Sequence, residues 1–207
     1  MDVQKCLDIL SARVETKHTH EGDDEHHHTA CVEENASRCL DLKVDDALNP
    51  ALEPELETMS VRELVTTFRS CQEQRVHVYQ QFEKGFLEHM FTDSLPQFSQ
   101  NITKQFASIS NQINAIESSL RTRQVPLSIP SIMRKVQGEE KEKLLLTSAL
   151  LLEKMRLKRQ VSTNPDDSSV SLFESSIESM QSTHTAIIER INDLLTDLLY
   201  EMEDFQD

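Results

Sequence analysis

Tryptophan is absent, and glycine occurs three times, at positions 22, 85 and 138. With six prolines besides, the chain has few residues that suit tight reversals. That argues against a sandwich or barrel, which needs many turns. Aromatic residues make up 5% and hydrophobic residues 37%. Such a supply is thin for a compact globule but ordinary for long helices, whose core is a strip. No run approaches the roughly 20 apolar residues of a membrane span. The most apolar stretch, 144–152, is interrupted by Thr147 and Ser148. The first residues lack a basic segment followed by a long apolar one, so no signal peptide is expected. The glycines stand alone, and neither a phosphate loop, a G-x-S-x-G elbow nor an H-E-x-x-H helix occurs. No catalytic residues, no cofactor and no enzymatic activity are therefore expected. The four cysteines, 6, 31, 39 and 71, form no close pairs and read as free thiols.

What is present is helical periodicity. Over 60–91, Val65, Phe68, Tyr79, Phe82, Phe86 and His89 fall on one seam, continued between Phe68 and Tyr79 by Gln72 and Arg75. Ser60 and Glu63 have capping-box spacing. A helix of that length would run roughly 48 Å, too long to bury itself. A second stripe follows at Leu95, Phe98, Ile102, Phe106, Ile109, Ile113, Ile116 and Leu120, with Ser94 and Gln97 as its capping box. Pro126 and Pro130 break the chain. A third helix is expected over about 131–161, weakened or kinked at Gly138. A fourth, capped by Ser171 and Glu174, carries a heptad stripe from Phe173 to Phe205 through His184. Residues 1–57 hold only short apolar patches, around 3–14 and 39–48. They read as a disordered acidic tail, separable from a bundle at 58–207.

The formal net charge is −15. Residues 1–58 hold 15 acids against five Lys/Arg, and 164–207 hold 11 acids against one Arg. The middle, 59–163, is basic, with 15 Lys/Arg against 10 acids. The overall charge argues against a dedicated nucleic-acid binder. Arg121, Arg123, Arg134 and Lys135 should meet where the second helix ends and the third begins. They form a candidate phosphate or partner patch, and the acidic end of the fourth helix is expected to screen it.

Four smaller features invite a sharp reading beside a plain one. His18, His20, His26, His27, His28 and Cys31 could ligate zinc, nickel or copper. No folded frame is evident for four ligands, so a loosely chelating tail is expected. Arg75 either lays its stem on the core edge with its head in water, or is buried against a carboxylate; the first is expected. Glu139, Glu140 and Glu142, interleaved with Lys141 and Lys143, read as a solvated helical face. Cys71 reads as a small core residue.

The string Phe68-x-x-x-Gln72-x-x-Arg75-x-x-x-Tyr79-x-x-Phe82-Glu83-x-Gly85-Phe86 resembles the opening of the Required for Excision, type B, DNA-repair family. Glu140-Lys141-Glu142-Lys143-Leu144-x-Leu146-Thr147 is similar to that family's later helix, and Ile191-Asn192-Asp193-Leu194-Leu195 to its C-terminal segment. The resemblance covers about 60–200. It implies a role in excision repair, nuclear or also cytoplasmic, and carries over no catalytic residues.

The expected protein is all-α: an elongated bundle of about four long helices with coiled-coil-like packing, preceded by the acidic tail. The expected function is a non-enzymatic adaptor or scaffold in DNA repair that meets protein partners through its helices. The alternatives are a coiled-coil subunit of another assembly and a helical module with weak DNA contact. No membrane association is expected, and the oligomeric state is open.

Overall fold

The computed structural model describes residues 53–205. The histidine tract, Cys6, Cys31, Cys39 and the apolar patches at 3–14 and 39–48 lie outside the described residues.

Five helices follow one another: α1 (Glu53–Thr58), α2 (Val61–His89), α3 (Leu95–Arg121), α4 (Ser128–Thr163) and α5 (Ser169–Asp204). Among the described residues there is no strand. The capping box at α2 forms as its spacing predicts. Ser60 Oγ accepts from Glu63 N at 3.2 Å, and Glu63 Oε2 accepts from Ser60 N at 2.7 Å.

Neither later helix start uses its expected box. Ser94 makes no side-chain cap bond. Its hydroxyl lies 2.7 Å from Thr92 Oγ1 and 2.9 Å from His89 Nδ1, closing the turn instead. α5 begins at Ser169 rather than after Ser171, with Asp167 Oδ1 accepting from Ser169 N at 2.8 Å. The third helix also departs from expectation. It starts earlier, takes Pro130 into its first turn, where the missing N–H is harmless, and runs unbroken through Gly138.

The long helices form two antiparallel hairpins, α2–α3 and α4–α5, laid against each other. α4 is the hub, since it packs on each of the other three long helices. This explains why its leucine triplets are apolar around much of the circumference: Leu144, Leu150, Leu151 and Leu152 are all buried. α5 packs chiefly on α4. The stripe expected along all of α5 is therefore buried only at Ile187, Ile191, Leu198 and Met202, while Phe173, Ile177 and Met180 are half-buried. One neighbouring helix covers only part of a seam.

α1 crosses the 57/58 boundary expected between tail and bundle. Leu56 is buried, and Arg123 donates to the carbonyls of Leu56, Glu57 and Met59. The packed structure thus includes residues before 58.

Two glycines make opposite predictions. A Cβ on Gly85 would collide with the edge of the Phe98 ring, which stacks on Phe82 at 6.5 Å between centroids. Gly85→Ala should destabilise by about 1–3 kcal/mol through overpacking, despite alanine's better helix propensity. A Cβ on Gly138 meets nothing within 4 Å. Gly138→Ala should stabilise by up to about 1 kcal/mol. Urea midpoints of the two variants should move in opposite directions.

Candidate functional site

The seam of α2 turns polar in its middle. Phe68, Phe82 and Phe86 are fully buried, as is the Gly85 backbone. Between them Gln72, Arg75 and Tyr79 are buried too, while Glu83 is exposed. Arg75 does not reach water as expected: it is 3% exposed. Nor does it meet a carboxylate. Its Nη2 donates to Gln137 Oε1 at 2.8 Å and to Ser110 Oγ at 3.2 Å, and Nη1 has no acceptor among the described residues. The head is held in place by α3 and α4 because both helices converge on α2 at this level.

One turn further along, Tyr79 packs edge-on against Phe106, with centroids 4.8 Å apart. Its hydroxyl donates to Glu140 Oε2 at 3.1 Å. Lys143 Nζ lies 3.4 Å from Glu140 Oε1 and 4.0 Å from the centre of the Tyr79 ring. Glu140 and Lys143 are 6% and 8% exposed, which corrects their reading as part of a solvated face. Glu139 and Glu142, their neighbours, do face outward and reach Arg190 of α5. Burial holds the Tyr79 hydroxyl well above its ordinary range, aided by the Glu140 charge. Burial likewise lowers the pKa of Lys143, opposed by Glu140. Burial also pushes up the Cys71 thiol, which is fully enclosed as a small core residue would be.

The network ends on α5. Thr147 Oγ1 donates to Lys143 O at 2.8 Å and lies 3.0 Å from His184 Nε2. With the hydroxyl proton so used, His184 Nε2–H is the donor to Thr147. Burial lowers the pKa of His184, and the Lys143 charge lowers it further. A depressed folded pKa means that the unfolded chain binds more protons as pH falls through 6.5. Stability from this group is therefore complete above that pH and lost as pH falls through the folded value. Unfolding midpoints should decline from pH 7 to pH 5, and His184→Gln should flatten that decline.

Beside this network α2 and α5 stand apart, each packed on α4. The groove left between them has a volume of about 320 Å³. Gln72, Tyr79 and Lys143 face it from the polar side, and Val76, Ile188 and Leu195 from the apolar side.

The basic cluster is partly offset in an unexpected way. Glu117 is 1% exposed and takes Arg121 Nε at 2.9 Å and Arg134 Nη2 at 2.9 Å. Arg123 is bound to α1 carbonyls, as above. Arg121, Arg134 and Lys135 all remain exposed, and Arg123 is half-buried. The acidic end of α5 contributes elsewhere: Glu201 Oε2 accepts from Ser128 Oγ at 2.5 Å. Among the described residues a buried carboxylate on α3 holds Arg121 and Arg134, while Asp207, part of the acidic end expected to screen them, lies outside the described residues.

Glu117, Glu140 and Lys143 are the site residues that sequence reasoning missed, and His184 was placed on its stripe without a role. A signal existed for the other three as well. Val136, Glu140, Lys143 and Thr147 keep the 4, 3, 4 spacing of an inward seam, and Glu117 stands four residues before Arg121. Among the described residues, no cluster of histidine, cysteine and acidic side chains could hold a metal ion.

Residues 63–154 match the family model described as DNA repair REX1-B. The matched segment begins in the first turn of α2 and ends within α4, so it carries the polar seam, Glu117, Glu140 and Lys143. The resemblance at 191–195 falls outside it. No curated protein and no solved structure gives a match.

Proposed function

We propose that this chain is a non-enzymatic adaptor in excision repair of DNA, working in the nucleus through protein partners bound to its helices. The observation that carries the reading is the DNA-repair match over the α2–α4 segment. The open groove beside the buried network supports a binding role, because it offers a concave, half-apolar surface with a few polar groups. Direct DNA contact through Arg121, Arg123 and Arg134 is less favoured, since Arg123 is turned onto the α1 carbonyls and Glu117 offsets one of the two charges of Arg121 and Arg134. The test is affinity purification of the tagged full chain from cells with and without DNA damage. Excision factors recovered in a damage-dependent manner are the expected result. A constant, unrelated complex would instead favour the coiled-coil subunit reading.

A further inference from the structure

Among the described residues Lys143 is the one buried lysine. Its Nζ rests over the Tyr79 ring, 3.4 and 3.5 Å from the two Glu140 oxygens. It still lines the open groove between α2 and α5, together with Glu83, Glu140 and His184. Arg75 and Glu83 act on its charge from α2, and Glu140 acts from α4. Burial and Arg75 favour the neutral amine, whereas the two glutamates favour the ammonium. Burial is the largest influence, so this amine gives up its proton more readily than an exposed lysine. A desolvated lysine that faces a cleft and has a carboxylate within reach is placed to act as a nucleophile.

The groups around Nζ suit condensation with a carbonyl. Glu140 takes the ammonium proton, which frees the nitrogen lone pair to attack the carbonyl carbon. A proton then passes from nitrogen to oxygen in the tetrahedral adduct, giving a neutral carbinolamine. Glu140 returns its proton to the new hydroxyl, the C–O bond breaks, and water leaves. The product is a protonated imine, so the positive charge of the ammonium is conserved. The carboxylate and the Tyr79 ring that hold a cation before the reaction hold one after it.

We propose that Lys143 captures small carbonyl compounds, aldehydes first among them, as a protonated imine in the groove between α2 and α5. The groove, about 320 Å³ in volume, is of a size for a small molecule. Aldehydes come first because their carbonyl carbon is less crowded than that of a ketone, and Nζ is reached only between two helices. The capture is a reversible covalent modification of this chain and requires no turnover. It goes beyond the adaptor reading and does not depend on it.

The probe is butanal with sodium cyanoborohydride on the full chain. The hydride fixes each imine as a butylated amine, and peptide mass spectrometry reads the rate at each lysine. Lys143 should react at least about tenfold faster than the exposed Lys84, Lys104, Lys135 and Lys141. Its rate should rise with pH and level off at a lower pH than theirs, because burial lowers its pKa. Val76→Trp and Ile188→Trp crowd the groove from exposed positions. Each should slow Lys143 and leave the exposed lysines unchanged, with circular dichroism checking the fold. Lys143→Arg keeps the charge beside Glu140 and should remove the fast site. In urea the advantage of Lys143 should vanish. A Lys143 that reacts no faster than the exposed lysines overturns the proposal. So does a fast Lys143 that both tryptophan variants leave unchanged, or an advantage that survives unfolding. None of these results bears on the adaptor reading, which the damage-dependent purification decides separately.

Discussion

Glu140→Ala should lower the unfolding free energy by about 3–5 kcal/mol, the loss typical of breaking a buried ion pair from one side. Glu140 accepts from the buried Tyr79 hydroxyl and stands 3.4 Å from the buried Lys143 ammonium. Its removal leaves both without their partner, and nearby Arg75 adds repulsion on Lys143. The loss has a pH signature. Lys143 already has a depressed pKa, and without Glu140 it would fall further. The unfolded chain then binds the extra proton over a wider range, so stability of the variant should rise with pH toward the ordinary lysine value. Glu140→Leu combined with Lys143→Met removes both charges and should recover most of the loss. Urea titrations of the single and double variants at two pH values make the measurement. A loss below about 1 kcal/mol in Glu140→Ala would mean that the carboxylate is solvated.

Arg75 behaves differently, because it has no carboxylate to abandon. Arg75→Ala should cost about 2–4 kcal/mol, since truncating a side chain this deep opens a cavity and strands Gln137 and Ser110. Arg75→Met keeps much of the volume and removes a charge buried against neutral acceptors. Gln137 and Ser110 are still stranded, so it should cost about 1–2 kcal/mol, less than the alanine variant. A methionine variant as unstable as the alanine one would show that the guanidinium bonds, rather than its packing, hold the helices together. A gain in stability together with loss of partner binding would mark Arg75 as kept for recognition, in line with the ordinary conflict between stability and function.

The seam residues Phe68, Phe82 and Phe86 were readable as inward because a helical face is defined by spacing within a few turns. The depth of Arg75 was not. Its seam position was plain, but whether a guanidinium on a seam reaches water depends on how many helices close over it. Glu140 and Lys143 show the same limit. Within α4 they look like members of an alternating charged run, and only the approach of α2 on one side encloses them. The caps divide along the same line. The Ser60–Glu63 box is a contact between residues three apart and forms as spelled. Ser94 had a competing partner in His89, which the turn brings to it.

By itself the sequence determined that the described chain is helical, how long each main helix is within a few residues, and which face of α2 turns inward. These follow from a 3.6-residue period and local capping, properties a single helix carries before it meets another. The tertiary structure alone decided that α4, not α2, is the hub, and that Glu117 takes both Arg121 and Arg134. It also decided that α2 and α5 leave a groove beside buried donors. Each of these depends on which helices converge at a given height, and side chains from four separate stretches set that convergence together.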